Sequence, residues 1–488
     1  MPRDLIAEIN DTVTQLAQQF KECIERRGML QTPLDTQEAE LELHALSRRA
    51  SDEVMARLLV ASIEDKQEQA QRGQLVPTGP GRGKTRAVGR RNTPVRLLGG
   101  TVVDIRTSYR LPVRTVRTGP KRGTGKRGKA GTGMFPHLVT LGILSGATPA
   151  VLSEVGRQAA ESSSLEVAQA SLSRRGLDLN LKTITNLTQA LGRLSLHLRQ
   201  AQMLVQPDGS RGPGQLAGKR IVAAVDGGRM RIRYSTTRGR RRKSGRRGFA
   251  APWKEPKVLV VYIIDEEGKK ERHTLSLYDA TLGDANAVFA LLVGYLRLMG
   301  AQDAAQLVLV GDGARWIWDR VGELVKAVGI APERFVAVVD YFHAVEHLRD
   351  VADLMKNWSA KTRRSFIRHY KQVLRQGDVE EVIAAIDELC VGRNATALTV
   401  ERDYFAKNAD LMRYADFERR GLPIGSGAVE SAVRQIVNQR LKSNGMFWLE
   451  TRAEHMLHLR AFLRAGHWDA LVAETLAHHC SVGNAALA

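Results

Sequence analysis

The stretch "KRIVAAVDGGRMRIRY", residues 219–234, opens with a short apolar run, Ile221 to Val225, that stops at Asp226 and two glycines. A run of this length bounded by turn residues predicts a buried strand, and the glycines predict the turn that ends it. The same pattern recurs downstream. "QLVLVGDGARWIW" (306–318) carries Leu307 to Val310 into Gly311 and Asp312 ahead of a helix, and "RFVAVVDYFHAVEHL" (334–348) ends its run at Asp340. Between the first two, "PKVLVVYIID" and "RHTLSLY" predict strands joined at "EEGKK", and "DANAVFALLVGYLRLMG" predicts a helix. Strand, strand, strand, helix, strand, helix, strand is the order of an α/β fold with a mixed sheet.

Ligands of such sheets collect beyond the strand ends, and the glycines beside Asp226 and Asp312 leave room for a backbone or phosphate. Asp-Gly is also ordinary turn chemistry. A third carboxylate comes from "LPIGSGAVESAVRQIVNQRLKS", which begins at Leu422. Ser426 is placed to cap a helix whose apolar positions are Val429, Val433, Ile436 and Val437. Glu430 lies about 60° from Val433 around that helix, at the edge of the buried stripe. It either pairs with Arg434 one turn on or faces the two aspartates. Three oxygen ligands suit Mg²⁺ or Mn²⁺, and two such ions about 4 Å apart serve phosphodiester cleavage. Asp340, His343, Glu346 and His347 form a further cluster. His343 and His347 sit one helical turn apart. They lack the leading His-Glu order of a metalloprotease and have no cysteine nearby, so either support of the carboxylates or a structural place on a half-buried face is expected rather than zinc.

The chain has 488 residues, with 73 Lys and Arg against 52 Asp and Glu and a net charge of +21. Such an excess predicts a polyanionic partner, nucleic acid above all. Much of it sits between the first two strands, where Arg240, Arg241, Arg242, Lys243, Arg246 and Arg247 crowd a glycine-containing loop just after Asp226. So dense a run repels itself unless a polyanion relieves it; the alternative, a disordered solubilising loop, is disfavoured by its position just after Asp226. Trp253, at the end of that loop, either stacks on a base or closes the loop on the core. "TGPGRGKT" and "GTGKRGKA" imitate a nucleotide-binding loop, but Thr78 replaces the first glycine and Ala130 the magnesium-binding hydroxyl, so no ATP is expected. Cys23, Cys390 and Cys480 are far apart and predict neither a disulfide framework nor a cysteine zinc site. The charged N-terminus lacks a signal-peptide core, and no apolar run approaches the roughly 18 residues of a membrane span. A cytoplasmic, nucleoid-associated protein with no membrane partner is expected.

Residues 1–74 are predicted to be helical, 75–136 a basic Gly/Pro-rich segment with short strands, and 137–204 helical with a possible helix-turn-helix around "LDLNLKTITNLTQAL". After a linker at 205–215, the α/β region runs over 216–349. Residues 350–420 form a helical insertion, 421–465 return to the core with Glu430, and 466–488 form a tail. The insertion's basic helix, with Lys361, Arg363, Arg364, Arg368 and Lys371, either holds flanking DNA or is a solvated face.

"VDGGR", "GDGARWIW", "VVDYFHAVEHL" and "IGSGAVES" together resemble the DDE transposases of bacterial insertion sequences, most closely the ISKra-type group. The likeness covers roughly residues 215 to 465. It implies an RNase H-like catalytic core with an all-helical insertion. Asp226, Asp312 and Glu430 would hold two Mg²⁺ (or Mn²⁺) ions, with Asp340 and His343 matching an auxiliary motif. It implies strand cleavage and transfer on double-stranded DNA, at element ends and target, by a homodimer or higher oligomer. Arg229, Arg434 and Lys442 join the loop arginines, Lys361, Arg363 and Arg364 as expected DNA contacts. A paired C-x-x-C module found in such relatives has no counterpart near "DIRTSYRLPVRT", so no structural zinc is expected. The alternatives are an RNase H-like nuclease or junction resolvase, and a domesticated, non-catalytic DNA-binding protein.

Overall fold

The computed structural model describes residues 3–71, 85–112, 133–204, 214–235, 248–272, 274, 276–392 and 395–485. They form two compact units, Met1–Leu198 with Trp468–Ala488, and Arg199–His467. Arg240, Arg241, Arg242, Lys243, Arg246 and Arg247 lie outside the described residues, as do nearly all of both nucleotide-loop imitations and most of the 205–215 linker.

In the first unit, α1 (Arg3–Arg27) and α2 (Pro33–Gln71) form a helical hairpin, tied by an ion pair between Arg27 and Glu42 at 2.6 Å. The strands β1 (Thr85–Arg96) and β2 (Val102–Pro112) pair antiparallel. Buried Asp52 of α2 accepts the Gly99 and Thr101 amides at their turn, each at 2.9 Å. A short α3 (Pro136–Thr140) follows, then α4 (Pro149–Glu161), α5 (Leu165–Arg174) and α6 (Leu181–Leu204). Thr148, Ser164 and Asn180 side chains each accept an amide of the first turn that follows, as N-caps do.

The second unit is built on a five-stranded open sheet. Its strands are β3 (Arg220–Gly227), β8 (Lys257–Ile264), β9 (Leu277–Thr281), β10 (Gln306–Gly311) and β11 (Phe335–Val339). Four two-residue strands lie between the first two: β4 (Met230–Arg231), β5 (Tyr234–Ser235), β6 (Phe249–Ala250) and β7 (Trp253–Lys254). The sheet order is β11-β10-β3-β8-β9; β10 runs parallel to β11 and β3, and β8 antiparallel to β3 and β9. The central strands are buried on both faces, which is why they read as continuous apolar runs. Ile221, Ala223 and Val225 pack with Leu259, Val261, Leu307 and Leu309 under α7 (Ala285–Leu298), which contributes Phe289, Leu292 and Leu296. The sheet is therefore mixed, as the element order predicted.

Two helices, α8 (Arg315–Trp318) and α9 (Val321–Val328), link β10 to β11. From the end of β11 a helical layer runs through α10 (Tyr341–Leu354), α11 (Ala360–Gln376), α12 (Val379–Leu389), α13 (Ala395–Asn408) and α14 (Tyr414–Arg419). The chain returns to the sheet with α15 (Gly427–Val433), a π-helical turn at Arg434–Asn438, α16 (Gln439–Leu441) and α17 (Glu450–Arg464).

Two expectations shift. The strand expected over "RHTLSLY" begins at Leu277 and continues to Thr281, through Asp279, a polar residue that side-chain partners hold inside the strand. Residues 466–488 hold a helix in the first unit, α18 (Trp468–Ala485), rather than a tail. Its buried Trp468, Leu471, Val472 and Leu476 recur at helical spacing, and Trp468 Nε1 donates to Ser153 Oγ at 3.0 Å.

Candidate active site

Three elements converge where β3, β10 and β11 end. Asp226 and Asp312 are half-buried, Asp340 is fully buried, and α15 brings Glu430 in from the other side of the chain. Gly228 permits that approach, since a Cβ there would lie 3.1 Å from both methyls of Val437 in the π turn. Gly313 does the same for the helical layer, because a Cβ there would collide with the Tyr404 ring of α13.

Electrostatics tie the carboxylates together. Burial pushes the Asp226 carboxyl up to about 6. The Gly227 amide at 2.6 Å opposes this, the nearby charges of Asp312 and Glu430 add to it, and His343 counters it. Asp312 is likewise raised by burial, against the pull of the Ala314 amide, His343 and Lys257. His343 thus faces all three acids of the expected set or lies beside them: its ligand nitrogen, a Glu430 oxygen and an Asp340 oxygen all fall within 4.8 Å of one another. An aspartate raised by burial and neighbouring acids, beside a cluster of Asp340, His343 and Glu430, offers donors suited to a hard divalent cation.

Asp340 has a different role within this group. Its Oδ1 accepts the Phe342 amide at 2.6 Å and the His343 amide at 3.2 Å, and its Oδ2 accepts the Ser426 amide at 2.5 Å. Tyr341 N–H donates to Ile424 O at 2.8 Å, so the start of α10 and the loop before α15 are sewn together. Ser426 was expected to cap α15 through its side chain. Its Oγ instead donates to Glu430 Oε1 at 3.2 Å, and no side-chain capping bond forms. Among the described residues Glu430 makes no ion pair with Arg434, so the local helix-pairing alternative is not realised.

The two histidines part company. His343 Nδ1 is 3.3 Å from Glu346, whereas His347 Nδ1 meets Glu401 Oε2 of α13 at 2.7 Å and its ring stacks on Tyr404 at 3.6 Å. His347, Asp350 and Glu401 form a second cluster, beside a cavity of about 390 Å³. Neither cluster contains a cysteine.

Of the expected DNA contacts, Arg229, Lys361, Arg364, Arg434 and Lys442 are exposed. Arg363 is half-buried and donates to the Met355 carbonyl at 3.1 Å, which leaves it less free to reach a phosphate. Lys257, Glu255 and Tyr404 are neighbours of the site that sequence reasoning missed. Lys257 was findable, because pairing the first two strands puts it opposite Gly227. Tyr404 was not, because it arrives from the helical layer.

No protein-family model and no curated protein matches the chain. Among solved structures, the Drosophila P element transposase strand transfer complex is similar to it at 12% identity and a TM-score of 0.24, over 66% of this chain and 80% of that one. Among the described residues, no helix is long and apolar enough to cross a membrane.

Proposed function

We propose that the chain is a DNA transposase whose RNase H-like domain, residues 216–349 with 421–465, cleaves phosphodiester bonds at element ends and joins them to target DNA. The observation that carries this reading is the cluster of Asp340, His343 and Glu430, whose ligand atoms lie within 4.8 Å of one another, together with Asp226, whose carboxyl is pushed up to about 6 first by burial and further by the charges of Asp312 and Glu430. Asp226, Asp312 and Glu430 would hold two Mg²⁺ or Mn²⁺ ions, whose chemistry is to activate an attacking oxygen and stabilise a leaving one. The protein's own groups do the positioning. Asp340 grips the amides of His343 and Ser426 and so sets the angle at which Glu430 enters. Ser426 Oγ holds one Glu430 oxygen. Arg229, Arg434 and Lys442 are exposed and would neutralise the DNA backbone. The basic loop at 240–247 and the insertion at 350–420, through Lys361, Arg364 and Arg363, hold flanking duplex. Residues 75–136 and 137–204 recognise the ends, and a homodimer or higher oligomer brings two ends together.

The test is cleavage and joining of a labelled oligonucleotide carrying the end of the DNA element that encodes the protein, in Mg²⁺. Glu430→Gln should lower the rate by about two orders of magnitude or more, with folding and DNA affinity nearly unchanged. Turnover like wild type by that variant would exclude Glu430 from the site.

A further inference from the structure

The antiparallel pair β3–β8 does not stop at the sheet. Gly228 N–H donates to the Pro256 carbonyl at 2.8 Å, β4 then pairs with β7, and β5 with β6. The two strands leave the sheet as a ribbon that starts just after Asp226. The segment following α16 adds to its edge: Ile232 bridges Trp448, Trp448 N–H donates to Arg231 O at 3.1 Å, and Arg233 N–H donates to Trp448 O at 2.7 Å.

The ribbon carries large rings that no core covers. Trp253 is 51% exposed, Tyr234 42% and Phe249 39%. Guanidinium groups lie over them: Arg231 is 4.7 Å from the Trp253 ring centre and 5.9 Å from that of Phe447, and Arg233 is 4.3 Å from that of Phe249. Phe249 and Phe447 meet edge to face at 5.1 Å. The acid among them, Glu450, is engaged with Lys254 and with Tyr234 Oη at 3.4 Å. A ring half-open to solvent with an arginine on one face keeps surface for stacking, and the arginine keeps N–H groups for phosphate. Duplex DNA offers phosphates but hides the faces of its bases. Unpaired nucleotides offer both at once.

We infer that this ribbon is a binding site for unpaired nucleotides of a DNA strand beside the carboxylates. Trp253 lies five residues along the strand from Val258, the partner of Asp226, which is about 16 Å at strand rise. A strand stacked on the ribbon would therefore lead toward the acidic cluster. The inference deepens the transposase reading and rests on it for the identity of the nucleic acid. The geometry of the rings stands without it.

The experiment uses the full chain without metal and two labelled probes, a thymidine oligomer of about 12 nucleotides and a blunt duplex of the same length. Trp253→Ala should weaken binding of the oligomer by roughly fivefold to a hundredfold, with the duplex affected by less than about twofold. Phe249→Ala should act in the same direction, and Trp253→Phe should restore most of the affinity because a ring remains. Because both side chains are half-exposed, the variants are expected to fold, and an unchanged duplex affinity verifies it. Equal weakening on both probes, no binding of the oligomer by the wild type, or tighter binding of a uridine ribo-oligomer than of the thymidine one would overturn the site. Intact oligomer binding with no Mg²⁺-dependent cleavage would instead remove the transposase reading and leave the ribbon standing.

Discussion

Asp340 carries a carboxyl group with no exposure to solvent, held by three backbone amides and, among the described residues, in no ion pair. A carboxylate has two accepting oxygens and an amide only one, so Asp340→Asn must release either the start of α10 or the Ser426 loop. The loop is what delivers Glu430. Asp340→Asn is therefore expected to lower Mg²⁺ affinity and cleavage about 10- to 100-fold, with the protein still folded, as removal of an orienting partner does elsewhere. Titration of Mn²⁺ into both proteins reads the effect, and equal affinities would reduce Asp340 to a helix cap. Asp226 supplies a pH test. Its folded value of about 6 lies above the ordinary carboxylate value, so the metal-free protein holds a proton there that the unfolded chain has lost. That contribution to stability is present below pH ~4 and disappears as pH rises through about 6. A divalent ion competes with the same proton. Its affinity should rise about tenfold per pH unit up to roughly 6 and then flatten, with proton release visible as a buffer-dependent heat of binding.

Between Glu430 and the end of its helix the backbone adopts a π turn, which frees carbonyls that an α-helix would use. Arg460 of α17, almost fully buried, answers them: its Nε donates to Ile436 O at 2.8 Å and its terminal nitrogen to Gln435 O. The same helix closes a second network at β9. Asp279, fully buried, accepts from His458 Nδ1 at 2.9 Å, Tyr295 Oη at 2.8 Å and Arg199 at 3.1 Å, and Glu454 holds Arg199 from the far side at 2.9 Å. Burial by itself would raise the Asp279 carboxyl, but Arg199 and His458 outweigh it and hold it well below the ordinary range. A depressed carboxylate contributes stability that is present above the unfolded value of about 4 and is lost as pH falls below it. Asp279→Asn takes a charged partner from the buried Arg199 guanidinium and should cost about 3 kcal/mol at neutral pH while flattening the acid limb of the stability profile. Denaturant melts of both proteins at two pH values check this, and parallel curves would show that the network is not held by charge.

A net charge of +21 favours the approach of a polyanion, and most of the positive charge is arginine. The density of the loop carrying Arg240, Arg241, Arg242, Lys243, Arg246 and Arg247 makes it the first place to test. Changing all six to Ala should lower the slope of log affinity against log salt by about 0.9 for each phosphate of duplex DNA that the loop neutralises. The chemistry at the carboxylates, measured at saturating DNA, should stay within a few-fold. Identical slopes would assign the loop to something other than DNA.

What could be read from residue order was local in origin. Apolar runs ending in Asp-Gly announced β3 and β10, periodicity announced α7 and α15, and the mixed sheet followed from their sequence. These signals are legible because burial on both faces of a strand, or on one face of a helix, writes itself into neighbouring positions. The partners of each acid were not legible. Nothing near Ser426 indicates that its amide goes to Asp340, nothing near Asp279 announces Arg199, and nothing near Gly313 announces Tyr404. Those pairs join residues about 80 to 90 positions apart, and only the closing of the sheet against α6, α13 and α15 brings them together. The residue types were therefore set by the chain, but where the Glu430 carboxylate lies was decided by packing, which brings it within 4.8 Å of Asp340 and His343 and lets its charge act on half-buried Asp226.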